Sequence, residues 1–313
     1  MTKEKILLLG ATGFVGNNVS KLLIKEDLSF EITSKTNGTD LCNLEQTLLL
    51  FSSIKPDIII NCAAHVGSLN YVTENAAKVM LDNSMMILNM YEAISKVNTE
   101  AIIINPIANC AYPSKADTFI EDHWWDGHLH RSVLSYGATR RFLWTVGESY
   151  SMQYNIRSIN LLVPNMYGPF DSTNPNKAHA LNALISKFVK AEKLAQNEIE
   201  IWGTGVAIRE WLYVEDFAKI IINIIKNPNI IGLSEPINIA QNFGLSVKEL
   251  VFIISNYYKN KFQLNWNHNM PDGAPKKVMD DTKFKKVFKD FQFTDFKLGI
   301  KNTIDYYQSI YPY

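Results

Sequence analysis

The 313-residue sequence has no excess of charge of either sign, because 31 Lys and Arg are balanced by 31 Asp and Glu. A neutral chain offers no broad basic surface, so we expect no nucleic acid and no membrane among its partners, and any anion site to be local. No apolar run approaches 18 residues, and the first residues lack the basic, apolar and small-residue regions of a signal peptide. We therefore expect a cytoplasmic protein.

Cysteine is scarce: Cys42, Cys62 and Cys110 lie in or beside segments that should be buried. An odd number with this placement argues against a disulfide framework and against a metal cluster. We expect three free thiols and no metal site. The sequence also lacks internal repeats, low-complexity tracts and flexible linkers, so two lobes would have to be interwoven along the chain.

What the sequence does contain is a glycine-rich turn near its start. Ile6 to Leu9 predict a short buried parallel strand, Gly10, Gly13 and Gly16 follow at intervals of three, and apolar residues then recur at helical spacing. Such glycines let the backbone approach a pyrophosphate and leave helix N–H groups free to bind it. The spacing differs from the commoner Gly-x-Gly-x-x-Gly, and similar turns occur in proteins that bind nothing there. We interpret this one as a dinucleotide site.

Strands and helices alternate along the first half of the chain. Strands are predicted at 30–33, 57–60, 101–107 and 156–163, and helices at 45–51, 74–98, 136–154, 178–195, 217–225, 246–259 and 295–309. This order predicts an α/β fold, a Rossmann-type doubly wound parallel sheet with a smaller interwoven α/β substrate lobe. We assign 1–165 with about 210–245 to the dinucleotide-binding lobe, and about 166–209 with 246–313 to the substrate-binding lobe.

Two features each leave two interpretations open. The carboxylate of Asp40 could meet an adenine amino group or could cap the helix at 45–51, since Asp favours helix caps. The helix at 74–98 is apolar around too much of its circumference for a surface helix. Either both faces lie in the core, or one packs on a second subunit; we favour a homo-oligomer, a dimer or tetramer, packed through 74–98 and 136–154.

The motifs, taken in order, resemble the extended short-chain dehydrogenase/reductase family, the NAD-dependent epimerase/dehydratases, and within it the branch typified by GDP-L-fucose synthase. The resemblance covers essentially the whole chain. It rests on the motifs Gly10–Gly16, Ala63–Gly67, Cys110–Pro113, Gly127 with Tyr136, Pro164–Asp171, His179, Ile201–Gly205, Arg209–Glu210 and Pro271–Gly273.

This resemblance implies roles for individual residues. Tyr136 would be the acid/base at the sugar hydroxyl or ketone, with Arg140 one helical turn away on the same face. Cys110 and His179 would move protons at the carbons flanking the ketone. The cofactor would contact Gly10, Thr12, Gly13, Phe14, Val15, Gly16, Asp40, Leu41, Ala63, Ala64, Asn83, Tyr136 and Arg140. A GDP-sugar would contact Asn109, Asn165, His179, Lys187, Trp202 and Arg209.

The chain departs from the family pattern in three places. Ala108 stands where a Ser or Thr hydroxyl normally meets the sugar oxygen, and Arg140 replaces the lysine of Tyr-x-x-x-Lys. An arginine stays charged and can lower the pKa of Tyr136, but it cannot relay a proton. Around Thr12 and residues 34–36, only Lys35 offers a charge to a 2′-phosphate. The expected cofactor is therefore NAD(H) rather than NADP(H), although no acidic residue ends the second strand.

From these points we expect an NAD-dependent 4-dehydrogenase of a GDP-manno-type hexose or heptose, serving bacterial surface-polysaccharide synthesis. Tyr136 would take the C4 hydroxyl proton as the hydride leaves. One alternative is the fucose-synthase sequence, in which Cys110 and His179 epimerise C3 and C5 before NADPH reduces C4. Another is a non-catalytic subunit that binds a sugar nucleotide.

Overall fold

The computed structural model describes residues 4–116, 118–230, 235–270, 272 and 274–313. Of the motif Pro271–Gly273, Pro271 and Gly273 lie outside the described residues. The strands are β1 (Ile6–Leu9), β2 (Phe30–Thr33), β3 (Ile58–Asn61), β4 (Ile102–Ala108), β5 (Arg157–Val163), β6 (Asn165–Tyr167), β7 (Glu198–Trp202), β8 (Ile208–Tyr213), β9 (Ile237–Asn238), β10 (Gly244–Ser246), β11 (Gln263–Asn267) and β12 (Lys276–Lys277). The helices are α1 (Phe14–Lys25), α2 (Leu44–Ile54), α3 (Leu69–Glu74), α4 (Ala76–Val97), α5 (Leu134–Tyr154), α6 (Ala180–Lys193), α7 (Val214–Lys226), α8 (Val247–Tyr257), α9 (Thr282–Val287) and α10 (Phe296–Ser309).

A parallel six-stranded sheet in the order β2-β1-β3-β4-β5-β9 forms the larger part of the fold. Strands β1 and β3 are buried along their whole length, as expected for parallel strands covered by helices on both faces. The chain runs from β1 out to β2 and then back to β3 on the other side of β1. The loops after β1 and β3 therefore meet at the point where the strand order reverses, which is where open α/β sheets bind ligands.

Helices cover both faces of this sheet. On one face Leu8 and Ile60 pack in a core with residues of α1, α7 and α9. On the other face Leu7 and Ile59 pack with residues of α2, α4 and α5. Neighbouring strand residues point to opposite faces, so the runs of Ile and Leu fill both cores. The predicted doubly wound α/β fold is confirmed.

The second half of the chain builds two small sheets and a third core. Strand β8 pairs with β6, β10 and β12, and β7 pairs with β11. Helices α6, α8 and α10 enclose the third core with aromatic residues of β6 and β8. Within the motif Pro164–Asp171, Asn165–Tyr167 forms β6 and buries Tyr167 against Tyr213. Our residue bounds for the two lobes remain a prediction. Within the described residues, no helix is both long and apolar enough to cross a membrane.

Candidate active site

The glycine-rich turn joins β1 to α1 and lies against the chain that leaves β3. Gly10 has a φ of +72°, and a Cβ there would lie 2.7 Å from the backbone nitrogen of Ala63. A Cβ on Gly16 would overlap the carbonyl oxygen of Gly10, whereas one on Gly13 would lie 3.3 Å from it. In the described structure, no side chain caps α1 and no acidic residue occupies its first turn. The first-turn N–H groups of α1 are therefore available to an anion.

Hydroxyl groups collect where β2 ends beside this turn. Ser34 Oγ lies 2.8 Å from Thr36 Oγ1, and Thr36 donates a longer hydrogen bond of 3.4 Å to Thr12 Oγ1. The ammonium of Lys35 lies 2.8 Å from a carboxylate oxygen of Asp40. This edge therefore presents hydroxyl donors and one exposed cation.

Asp40 does not cap the following helix, so that alternative is wrong. Its carboxylate accepts the N–H of Cys42 at 3.0 Å and pairs with Lys35, and both contacts hold its pKa below the usual range. Asn43 caps α2 instead, with its side chain accepting the N–H of Gln46. A cofactor role for Asp40 and the neighbouring Leu41 stays a prediction.

Tyr136 and Arg140 lie on one face of α5, as their spacing predicts. The guanidinium carbon of Arg140 is 4.9 Å from the centroid of the Tyr136 ring. Arg140 is 3% exposed, it donates to Asn83 Oδ1 at 2.9 Å, and its Nε is buried without a hydrogen-bond partner in the described structure. Asn83 in turn donates to the carbonyl of His65, in the loop after β3. Hydrogen bonds through Arg140 and Asn83 thus connect the Tyr136 face of α5 to the loop that includes Ala63 and Ala64.

The expectation that Arg140 lowers the pKa of Tyr136 is only partly correct. Burial raises the pKa of Tyr136 above its ordinary value, and the charge of Arg140 opposes this effect without overcoming it. The sequence could not show how deeply the phenol lies, so it could not show which effect is larger.

Cys110 lies on a short 3₁₀ turn, Asn109–Ala111, directly after β4. This turn packs so closely on α5 that a Cβ at Gly137 would lie 2.6 Å from the Cys110 carbonyl oxygen. The thiol is free, and burial raises its pKa to about 11 against the opposing charges of Lys277 and Arg140. Next to it, the amide Nδ2 of Asn109 is buried with no partner in the part of the chain described. An unpartnered buried donor at this position suits a ligand oxygen.

His179 precedes α6 and is held by Asp171. The backbone N–H of His179 donates to Asp171 Oδ2 at 2.8 Å, and the ring Nδ1 of His179 lies 3.0 Å from Asp171 Oδ1. Burial lowers the pKa of His179, but the charge and hydrogen bond of Asp171 outweigh it and raise the pKa above the ordinary value. The imidazole lies 5.3 Å from the ring of Phe14, the first residue of α1. The structure therefore places His179 beside the glycine-rich turn, with Nε2 free of Asp171.

The other residues assigned to the sugar nucleotide lie on the two small sheets and on α6. Lys187 has its ammonium 4.8 Å from the Trp202 ring centroid and donates to a carbonyl of β7. Trp202 leaves half of its side chain exposed. Arg209 donates to the carbonyls of Ile208 and Asp272, and burial lowers its pKa. Asn165 of β6 makes a long contact of 3.5 Å to a carbonyl of β8.

Two charged residues near the site were not assigned a role from the sequence. One is Asp171, the partner of His179, and the other is Lys277. Lys277 lies opposite Arg209 in the pairing of β12 with β8 and lines a small cavity together with Cys110. Asp171 ends the motif Pro164–Asp171, and Lys277 follows Pro271–Gly273 closely, so both stood beside recognised motifs. Only the fold shows which side chains they approach.

A sequence profile of the NAD dependent epimerase/dehydratase family matches residues 6–240. The GDP-L-colitose synthase of Yersinia pseudotuberculosis is 28% identical over 308 residues, which cover 97% of each chain. A GDP-L-fucose synthetase structure from Naegleria fowleri superimposes with a TM-score of 0.88 at 22% identity, covering 99% of this chain and 95% of that one. A GDP-mannoheptose C4 reductase from Campylobacter jejuni gives 0.84 at 23% identity, covering 98% and 99%.

Proposed function

Because the chain belongs to the NAD dependent epimerase/dehydratase family, we propose that it epimerises the carbons beside the ketone of a GDP-4-keto-manno-type sugar and then reduces that ketone. The observation that carries the proposal is that a thiol lies beside the helix of Tyr136 and an imidazole beside the glycine-rich turn. Cys110 packs against the start of α5, the helix of Tyr136, and the Asp171-bound His179 stands at the glycine-rich turn. A simple oxidation at C4 would need only Tyr136.

The relatives support this direction of reaction. The relative from Yersinia pseudotuberculosis is called a synthase, and the structural neighbour from Campylobacter jejuni a C4 reductase. These names favour epimerisation and reduction over the 4-dehydrogenase activity that we expected from the sequence. Surface-polysaccharide synthesis remains the proposed setting of the reaction.

The residues at the turn fit a pyridine nucleotide, which supplies a hydride when bound. Gly10 and Gly16 leave no room for a Cβ where the pyrophosphate would approach, and Arg140 Nε has no partner in the described structure, which suits a ribose hydroxyl. We propose NADPH, because three structural neighbours at 23% identity contain NADP or were crystallised with NADPH. This replaces our expectation of NAD(H). Lys35 and the hydroxyls of Ser34 and Thr36 would receive the 2′-phosphate.

In the epimerisation, Cys110 as a thiolate takes a proton from a carbon beside the ketone, and the C–H electron pair passes into an enolate. His179, kept protonated by Asp171, returns a proton to carbon. In the reduction, Tyr136 gives its proton to the C4 oxygen, and the charge of Arg140 stabilises the phenolate that remains. Ala108 offers no hydroxyl to that oxygen, and the unpartnered Asn109 amide is the donor available nearby.

We assign the nucleotide to the small sheets. The guanidinium of Arg209 suits a diphosphate because its fork donates to two oxygens at once. Trp202 exposes half of its ring system beside the ammonium of Lys187, an arrangement that suits stacking on a base near a phosphate. The preference for guanine comes from the relatives alone.

We also propose that two copies of the chain pack through α4 and α5. These helices pack on each other and bury Ile87 and Leu143 in the core. The outer side of α4 nevertheless exposes the large apolar side chains of Met80, Leu81, Met85 and Leu88. A second copy would cover them, and a monomer mass in light scattering would contradict this proposal.

The function is tested by mixing the protein with NADPH and GDP-4-keto-6-deoxymannose and following the nicotinamide absorbance. We expect oxidation of NADPH with the GDP compound and not with its UDP counterpart. Reduction of NAD by GDP-mannose or a GDP-heptose, without activity on the ketone, would restore the 4-dehydrogenase. Binding without any hydride transfer would indicate a non-catalytic subunit.

A further inference from the structure

Lys277 shares a small cavity of about 10 Å³ with Cys110. Lys277 belongs to β12, a two-residue strand that pairs with β8 and places Lys277 opposite Arg209. Asn109, His130 and Lys276 line the same cavity, and none of the described residues lining it is an Asp or Glu. The described lining of the cavity therefore includes a cysteine and a lysine and no carboxylate.

Lys277 is half-buried, and among the described residues it forms no ion pair with a carboxylate. Lys283, which is also half-buried, lies 2.8 Å from Asp122. For Lys277 the two charges that act through space within the described structure are the Cys110 thiolate, which favours its ammonium form, and Arg209, which disfavours it. Burial lowers the pKa of Lys277 further. Of these two charges in the described structure, that of the thiolate is therefore the one that favours the ammonium form.

We propose that Lys277 is the counter-ion of the Cys110 thiolate and favours its formation over the buried thiol. This inference rests on the proposed function, in which Cys110 takes the proton from the sugar carbon. The proton passes to Sγ, the C–H electron pair becomes that of the enolate, and Lys277 keeps its three protons throughout. Lys277 is thus a positioning residue that acts through Cys110.

Other groups near the thiol do not replace this role. Arg140 also lowers the pKa of Cys110, but its charge comes second to that of Lys277. Arg140 is already engaged with Asn83 and with the ring of Tyr136. His130 lines the cavity, with its Nδ1 2.7 Å from Ser132 Oγ. The phenol of Tyr136 is neutral until it donates its proton.

The test measures alkylation of Cys110 by iodoacetamide between about pH 7 and pH 10, with peptide mass spectrometry separating it from Cys42 and Cys62. The variant is Lys277→Met, which keeps an apolar stem in the buried site. Lys276→Met is the matched control, because Lys276 lines the same cavity but is exposed. Lys277→Arg is the charge-conserving rescue.

We expect Lys277→Met to slow alkylation of Cys110 throughout this pH range, by at least about threefold at about pH 8.5. A tenfold fall in the thiolate fraction slows alkylation less than tenfold, because a thiolate of higher pKa is the stronger nucleophile. Lys276→Met should leave the rate unchanged, and Lys277→Arg should restore it. Equal rates in Lys277→Met and Lys276→Met would overturn the proposal.

Circular dichroism and NADPH binding verify that Lys277→Met folds, and Lys277→Gln takes its place if it does not. Because alkylation needs neither substrate nor cofactor, its outcome does not depend on the reaction. If alkylation depends on Lys277 but the protein catalyses no proton exchange, this inference stands and the proposed epimerisation falls. If proton exchange proceeds normally in Lys277→Met, the epimerisation stands and this inference falls.

Discussion

The guanidinium of Arg140 lies over the ring of Tyr136, 4.9 Å from its centroid, where it can stabilise a phenolate but cannot pass a proton to it. Asn83 holds this guanidinium, which is almost completely buried. In the proposed reduction, Arg140 would therefore act through its charge and not through proton transfer.

Replacing Arg140 separates charge from shape. Arg140→Met should slow single-turnover oxidation of NADPH at least about 100-fold, since a buried phenolate loses its cation. Arg140→Lys keeps the charge and should remain within about tenfold of the parent protein. Arg131→Met, at an exposed position, is the control for a lost arginine. Equal losses in the Met and Lys variants would show that shape, and not charge, is what Arg140 supplies.

The glycines of the turn should differ in their tolerance of a methyl group. Gly16→Ala places Cβ on the Gly10 carbonyl oxygen, so we expect loss of NADPH binding and a destabilised fold. Gly13→Ala meets the same oxygen at 3.3 Å, which a small shift relieves. Its dissociation constant for NADPH, measured by calorimetry, should rise by about tenfold or less. Similar effects of the two variants would mean that the turn is not packed as described.

The Asp171 contact should keep His179 protonated to a higher pH. Because its pKa is raised on folding, this contact stabilises the protein fully below about pH 6.5 and is lost as the pH rises through the raised value. Asp171→Asn should therefore lower the pKa of His179 in an NMR titration. In the same variant, the unfolding free energy should fall more at pH 6 than at pH 9. An unchanged His179 titration would exclude Asp171 as its charge partner.

Glu210 should make the fold less stable as the pH rises. Its carboxyl group is completely buried on β8, and burial raises its pKa from 4.5 to about 7, although it accepts the N–H groups of Gln241 and Met279. Because the folded state favours the neutral carboxyl group, this effect stabilises the fold fully below pH 4.5. The stabilisation is lost as the pH rises through about 7. We expect a decrease of up to about 3 kcal/mol in the unfolding free energy. Glu210→Gln, which stays neutral, should lack this part of the pH dependence in denaturant titrations.

Much of the fold and part of the site could be predicted from the sequence. Strand Phe30–Thr33 is found residue for residue, and the spacing of Tyr136 and Arg140 places them on one face of α5. These features depend on local patterns of period two or period 3.6, which a sequence shows directly.

The remaining features depend on contacts between distant segments. Strands of two or three residues, such as β6 and β12, are too short to show a period. Lys277 approaches Cys110 only because β12 joins β8. The pKa of Tyr136 is set by burial, which is a property of the packed site.

The central proposal is that Cys110 and His179 move protons at the carbons beside a ketone before reduction. The most direct measurement incubates the protein with GDP-4-keto-6-deoxymannose in D₂O without NADPH and follows H3 and H5 by NMR. We predict loss of both signals to deuterium at an enzyme-dependent rate, slowed at least about 100-fold in Cys110→Ser and in His179→Gln. Oxidation of added NADPH with both protons retained would contradict the proposal and leave a C4 reductase without epimerase activity.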